Sequence, residues 1–210
     1  NIDPIKFRKD NFISLGHIDP LNEIKVRSFE LDKCIEKGKE LIRWDEKKKI
    51  YKDQSSNKRR GLGMACFSYF SGTHPVSLEL AGARIVMNQD GSVQLQVGAT
   101  EIGQGSDTVF SQMVAEVLGI SIEDVHIITT QDTDITPFDT GAYASRQSFV
   151  TGAAVKKAAQ EVKEKVLSLA SKKYGLNIEE IDIEDGNIIE KKLGDVLCPL
   201  GDIALYSYYD

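Results

Sequence analysis

Two loops hold the side chains best suited to chemistry, and each leads into a predicted helix. The first, at residues 101–106, contains Gly103, Gln104 and Gly105. Glycines let backbone approach a ligand closely, and a helix start offers unpaired N–H groups and positive dipole charge. The Gln104 amide both donates and accepts, which suits the edge of a heterocycle. A tight strand-to-helix turn with Gln104 in water explains the same residues, and a short GxG pattern alone favours that interpretation.

The second loop, at residues 140–148, consists mainly of small and polar residues. Ser145 and Ser148 are N-cap candidates, and Arg146 can pair with a phosphate. Taken alone, simple helix capping explains this loop. Two such helix starts lie close together in the chain, which favours one phosphate-bearing ligand bound by both loops. The pattern does not identify this ligand.

Acidic residues near the second loop suggest a further possibility, a divalent metal site. Hard cations prefer clustered carboxylates. The candidates are Asp132, Asp134 and Asp139. Because aspartate and threonine are also common loop formers and no EF-hand spacing follows, we predict no metal there. A magnesium-dependent phosphohydrolase is therefore only a minor alternative.

Histidines and cysteines are scattered along the chain. The histidines are His17, His74 and His126, and the cysteines are Cys34, Cys66 and Cys198. Isolated histidines argue against zinc, and three cysteines without a CxxC pair argue against an iron–sulfur cluster held by this chain alone. An odd cysteine count without a disulfide framework favours a reducing cytoplasm.

The elements that position these loops change character near residue 61. Residues 1–60 are charged and predicted helical, with a helix start at Asp3-Pro4 and helical spacing of apolar residues over 31–44. The polar stretch 47–60 is predicted to be a surface connection. We therefore expect a helical lead-in over 1–60 and a separate α+β portion over 61–210.

Strand and helix signals alternate after residue 61. Residues 62–70 and 83–87 are predicted strands, and Asn88-Gln-Asp-Gly91 is a hairpin turn signal before an alternating strand at 93–97. Further predictions are a helix at 109–118, a strand at 125–129, a polar connection at 131–144, a long helix at 148–172 and a short hairpin at 181–189. The pattern indicates an α+β fold with helices packed on an antiparallel sheet.

Composition excludes several classes of protein. Hydrophobic residues make up 41% and charged residues 28% of the 210 residues, which is typical of a globular chain. The net charge of −6 and the mixing of basic with acidic residues argue against nucleic-acid binding. No apolar run reaches the ~20 residues of a membrane helix, and no secretory signal pattern is present. Because the chain opens at Asn1, we expect a piece of a longer protein.

The sequence that contains these two loops resembles the large, molybdopterin-binding subunit of the xanthine dehydrogenase and aldehyde oxidase family. Separated motifs occur in family order along nearly the whole chain. They are AGA at 81–83, DGS at 90–92, TEIGQG at 100–105, AEVLG at 115–119, QDT at 131–133, AS at 144–145 and GAA at 152–154, preceded by DPIKFR at 3–8 and Asn11. Residues 72–74, 77–79 and 144–147 look closest to bacterial purine-hydroxylating members.

The resemblance implies part of the molybdenum-cofactor-binding domain of a molybdenum hydroxylase. Such enzymes hydroxylate a carbon beside a ring nitrogen, or an aldehyde carbon, with water as the oxygen source. By motif match, Gly103, Gln104 and Gly105 approach the pterin or its metal-side surroundings. The residues implied to cradle the pterin phosphate, or a cytosine dinucleotide form, are Ala144, Ser145, Arg146, Gln147 and Ser148. Thr73 and His74 fall where the family presents an aromatic residue to substrate, and this aromatic is missing here.

The family's catalytic residues are absent from this chain. In the family, the general base is a glutamate in a glycine-rich motif downstream of this region. The glutamine beside the metal and the arginine-bearing substrate loop lie upstream of it. We therefore assign no catalytic residue and expect the isolated chain to be inactive. The implied partners are the rest of the molybdenum subunit and iron–sulfur and FAD-bearing chains or domains, with a small N-heterocycle as substrate. The alternative is a non-catalytic structural or assembly module of that complex.

Overall fold

The computed structural model describes residues 2–21, 23–69, 71–73, 78–128 and 132–209. The chain divides into two compact units, within residues 1–69 and 70–210. The expected division into a helical lead-in over 1–60 and an α+β portion over 61–210 stays a prediction. Within the described part of the chain, no helix is long and apolar enough to cross a membrane.

Three helices form the first unit: α1 (Pro4–Asp10), α2 (Leu31–Ile42) and α3 (Trp44–Ile50). The Asp3 carboxylate accepts the N–H groups of Ile5 and Lys6 at 2.9 and 3.0 Å, so the predicted helix start at Asp3-Pro4 is confirmed. Arg43 adopts a left-handed conformation that separates α2 from α3. The predicted surface connection 47–60 is wrong over 47–50, which belong to α3.

The predicted strand at 62–70 is also wrong over residues 62–69, which form no regular element; residue 70 lies outside the described residues. Leu62, Met64 and Cys66 are alternately half-buried, as in a strand, but they pack against a helical core rather than a neighbouring strand. That core consists of Ile5, Ile35 and Trp44. The alternating burial of these residues therefore arises from packing on helices, without a partner strand.

The first sheet of the second unit has the order β1-β2-β3, with β1 at Ala83–Met87, β2 at Val93–Val97 and β3 at Val125–Ile128. The predicted hairpin between β1 and β2 is confirmed. Its turn is closed by Asp90, whose carboxylate accepts the N–H and hydroxyl of Ser92 at 2.9 and 2.7 Å. This Asx-type turn sets the register that directs Val93, Leu95 and Val97 into the core.

Two helices cover one face of this sheet. Helix α4 (Ser106–Leu118) carries the chain from β2 to β3, so these two strands pair in parallel. Helix α5 (Gly152–Tyr174) packs beside α4. The predicted helices at 109–118 and 148–172 are thereby confirmed. Their shared core contains Val93, Leu95, Val97, Phe110, Val114, Leu118 and Val155.

A second sheet packs on the carboxyl-terminal half of α5. It comprises β4 (Ile181–Glu184), β5 (Asn187–Glu190) and β6 (Asp195–Pro199), all antiparallel to their neighbours, followed by α6 (Leu200–Tyr206). The predicted hairpin at 181–189 is confirmed. Of the strand pairings formed by the described residues, three are antiparallel and one is parallel. The α+β class predicted from the sequence is therefore confirmed.

Gly119 joins the two sheets at the end of α4. Its φ of 65° is left-handed, and its carbonyl oxygen accepts the Gly186 N–H at 2.9 Å. A Cβ at this position would collide with the carbonyl oxygen of Ile183 in β4. Glycine is therefore required both by the backbone conformation and by the close approach of the second sheet.

We predict that Gly119→Ala lowers the free energy of unfolding by more than the ~1–2 kcal/mol cost of a left-handed alanine, because it adds a collision with rigid backbone. Gly175→Ala is the matched control: Gly175 ends α5 with a φ of 68° and has open space where a Cβ would lie. Urea denaturation of both variants measures the difference. Equal losses for the two variants would show that the Ile183 contact relaxes without cost.

Candidate functional site

The two loops identified in the sequence lie against each other. The Gln104 side-chain amide donates a hydrogen bond to the side-chain oxygen of Gln147. Both amides also lie 3.0 Å from the carbonyl oxygen of Thr100, to which each donates. The loops at 101–106 and 140–148 therefore form one continuous polar surface, although they are separated by α4 and β3 in the chain.

The glycine loop is organised around the carboxylate of Glu101. This carboxylate accepts the backbone N–H groups of Gly103, Gly105 and Asp107 at 2.6, 3.1 and 3.2 Å, and the Ser106 hydroxyl at 3.1 Å. These hydrogen bonds, that from Gly105 first, lower the pKa of Glu101 to about 2. At the start of α4, the N–H groups of Gly105 and Asp107 are therefore already accepted by an internal carboxylate and are not offered to a ligand.

The second loop enters its helix through an unusual start. Ala144 and Ser145 have left-handed φ values of 49° and 53°, and Arg146 is the N-cap of a π-helical turn, Gln147–Thr151, that continues into α5. No side chain caps this turn, so the predicted capping by Ser145 or Ser148 is wrong. Both serines are instead exposed, whereas Ala144 and Gln147 are buried.

Arg146 is fully buried and bound within the protein. Its guanidinium donates to Asp139 at 2.7 Å and to Glu79 at 3.1 Å, and to the carbonyl oxygens of Gly141 and Leu80 at 2.9 and 2.7 Å. Burial alone would lower the pKa of Arg146, but hydrogen bonds with the two carboxylates outweigh it and raise the pKa. Its predicted role in phosphate binding stays a prediction; the contacts found here hold the loop in shape.

The segment before β1 joins the same network. Thr73 is buried, and its N–H and hydroxyl both donate to Glu79 Oε1 at 2.5 Å. The Gly72 N–H donates to the carbonyl oxygen of Ala144 at 2.6 Å. The hydrogen bonds from Thr73, followed by those from Arg146, lower the pKa of Glu79. His74, predicted to lie near a substrate, is outside the described residues.

Two of the aspartates considered as metal ligands, Asp132 and Asp139, have other partners. Asp139 pairs with Arg146 and accepts the Thr151 hydroxyl at 2.6 Å. Asp132 accepts the N–H of Asp134 at 2.9 Å and closes a local turn. Within the described ranges, no group of three histidine, cysteine or acidic side chains is arranged to hold a metal ion.

Sequence reasoning missed three acidic residues that organise the site. For Glu101 a signal existed, since an acidic residue just before a helix start is favoured by the helix dipole. Asp139 was weighed only as a metal ligand. For Glu79 there was no local signal, because its partner Arg146 lies 67 positions away in the chain.

Residues 37–210 match the family model of the molybdopterin cofactor-binding domain. The chain therefore belongs to the molybdopterin cofactor-binding domain family. The resemblance stated from the sequence is confirmed.

Individual relatives agree with this family. The chain is 45% identical over 209 residues to the xanthine dehydrogenase molybdenum-binding subunit of Escherichia coli O157:H7, which is 99% of this chain and 28% of that protein. A crystal structure of quinoline 2-oxidoreductase from Pseudomonas putida 86 superposes with a TM-score of 0.56 at 28% identity, over 61% of this chain and 16% of that one. Reconstituted CO dehydrogenase from Oligotropha carboxidovorans shares the fold, with a TM-score of 0.60 at 24% identity, over 100% of this chain and 28% of that one.

We predict that Glu101→Gln destabilises the chain at pH 7 and that its deficit relative to wild type shrinks in acid. The folded-state pKa of about 2 lies below the ordinary value of 4.5, so the stabilisation is complete above pH 4.5 and is lost as the pH falls toward 2. Urea midpoints measured between pH 7 and pH 3 test this. Glu116→Gln, at an exposed position on α4, is the control, and a gap for Glu101→Gln that does not vary with pH would contradict the prediction.

Proposed function

We propose that this chain is a cofactor-cradling part of the molybdenum-binding subunit of a xanthine dehydrogenase-like hydroxylase. The main support is the hydrogen-bonded junction of Gln104 with Gln147, which unites the two motif loops in a chain 45% identical to such a subunit. The chain spans 28% of the length of that relative. The remaining parts of the site belong to other regions of the subunit.

The chemistry of the exposed groups fits a pterin. Gln104 and the backbone of Gly103 are exposed, and nothing lies within 4 Å of where a Cβ of Gly103 or Gly105 would be. An exposed amide matches the alternating donors and acceptors on the edge of a heterocycle, whereas the N–H groups of Gly103 and Gly105 are already donated to Glu101. The Glu101 carboxylate is engaged by the N–H groups of its own loop.

The residues of this chain bind and orient the cofactor rather than react. Gly103, Gln104 and Gly105 hold the pterin edge, and the Gln104–Gln147 hydrogen bond fixes that edge relative to the second loop. Ser145 and Ser148, both exposed, and the uncapped turn at Gln147–Thr151 receive the phosphate or its cytosine dinucleotide extension. Ala144, which has a left-handed backbone conformation, and Arg146, which is hydrogen-bonded internally, maintain the conformation of this loop. When bound, the molybdenum cofactor supplies the two-electron redox chemistry.

The substrate class follows from the resemblance and from the relatives. We propose a purine or related N-heterocycle, hydroxylated beside a ring nitrogen, with Thr73 and His74 on the substrate side. Iron–sulfur clusters and FAD on other chains or domains carry the electrons away, in a cytoplasmic complex. Since Glu101 and Arg146, charged residues of the two loops, are engaged internally, the isolated chain does not turn over substrate and acts as a structural module.

The complete subunit in its assembled complex is expected to contain molybdenum and a pterin in equal amounts, and to hydroxylate a purine. Elemental analysis, pterin release and turnover in ¹⁸O-labelled water measure these three properties together. The isolated chain, assayed in parallel, is expected to give no product. A complex without molybdenum, or with molybdenum but inactive on purines and other N-heterocycles, would contradict the proposed function.

We predict that Gln104→Ala weakens cofactor retention by about three- to tenfold, the effect of losing one or two hydrogen bonds. The matched control is Gln160→Ala, since Gln160 is exposed on α5 away from both loops. Pterin and molybdenum content after extended dialysis gives the measurement. Equal cofactor loss in both variants would show that Gln104 does not contribute to cofactor binding.

A further inference from the structure

Glu79 connects the two sides of the site through its two carboxylate oxygens. Oε1 accepts both hydrogen bonds from Thr73, at 2.5 Å each, and Oε2 accepts the Arg146 Nε–H at 3.1 Å. The side chain of Arg146 is fully buried and that of Glu79 is 19% exposed. Solvent therefore competes weakly for these hydrogen bonds.

The two partners of Glu79 depend on it to different degrees. Arg146 keeps three hydrogen bonds without Glu79, to Asp139, Gly141 and Leu80. Thr73 loses the acceptor of both its N–H and its hydroxyl. Removing Glu79 should therefore leave the loop at 140–148 in place and release the segment at 72–73, which among the described residues then keeps the hydrogen bond from the Gly72 N–H to Ala144.

We propose that Glu79 is a positioning residue that holds Thr73 at a fixed place relative to the cofactor loop. It acts through Thr73 and Arg146 and does not itself contact cofactor or substrate. Because the two segments share one carboxylate, the substrate side of the site and the cofactor side move as one body. This inference rests on the proposed function of the two loops.

The test uses Glu79→Ala in the complete, cofactor-loaded complex. We expect molybdenum and pterin content to stay normal while kcat/KM for the purine falls about tenfold or more, since small misplacements near a reacting group are costly. Hydrogen–deuterium exchange, with and without cofactor, is expected to rise at 72–73 and to stay unchanged at 144–148. Glu190→Ala, at a half-buried glutamate on β5, is the control for general destabilisation.

Two further variants keep the test decisive if Glu79→Ala folds poorly. Thr73→Val removes the hydroxyl donor and is expected to reproduce part of the loss, whereas Thr73→Ser retains the hydroxyl and restores activity. In the double variant, the effects of Glu79→Ala and Thr73→Val are expected to be less than additive, as for residues that act through one contact.

Several outcomes would overturn the role of Glu79. Normal kinetics with full cofactor in Glu79→Ala would reduce it to an ordinary structural residue. Cofactor loss with faster exchange at 144–148 would show that it supports the cofactor loop instead of the substrate side. Fully additive effects of the two variants would show that Glu79 and Thr73 act independently of each other. Failure of the proposed function is distinguishable, because the wild-type complex would then lack molybdenum or activity.

Discussion

The architecture of the site depends on one buried cation. A guanidinium removed from water is tolerated only when its donors are satisfied, and removing one partner of such a pair typically costs about 3–5 kcal/mol. Arg146 meets this requirement with Glu79 and Asp139, which belong to segments before β1 and before α5. Asp139 reaches this position because Gly98, at the end of β2, has no Cβ to block the Pro137 backbone. The need to satisfy one buried charge thus brings the segment before β1 against the connection before α5.

Around this centre, the charged and neutral polar groups have separate tasks. Glu79 and Asp139 pair with the buried Arg146, and the Glu101 carboxylate accepts N–H groups of its own loop. What remains at the surface of the two loops is largely backbone, hydroxyl and amide. Such a surface recognises a hydrogen-bonding heterocycle by shape and donor pattern, and it costs little to desolvate compared with a charged one.

Sequence patterns predicted the local elements well and the long-range contacts poorly. The helix at 148–172, the hairpin at Asn88–Gly91 and the hairpin at 181–189 depend on neighbours in the chain, and all three formed as expected. The strand predicted at 62–70 failed because its period-two burial is satisfied by helices. The two loops were correctly selected from their residue types, but the ion pair of Arg146 with Glu79 has no local signature. The topology of the folded chain, and not the spacing of residues in the sequence, determines which groups pair with Arg146.

Helix α5 gives the second sheet an influence on the distant loops. It contains 23 residues, begins directly after the Gln147–Thr151 turn, and packs its far half against β4. At 1.5 Å per residue it is about 35 Å long, so a tilt of about two degrees about its carboxyl-terminal end displaces its amino-terminal end by about 1 Å. A displacement of that size near a reacting centre can cost about a hundredfold in rate. The second sheet therefore anchors the carboxyl-terminal end of α5, and substitutions in this sheet that leave stability intact can still alter the geometry of the two loops.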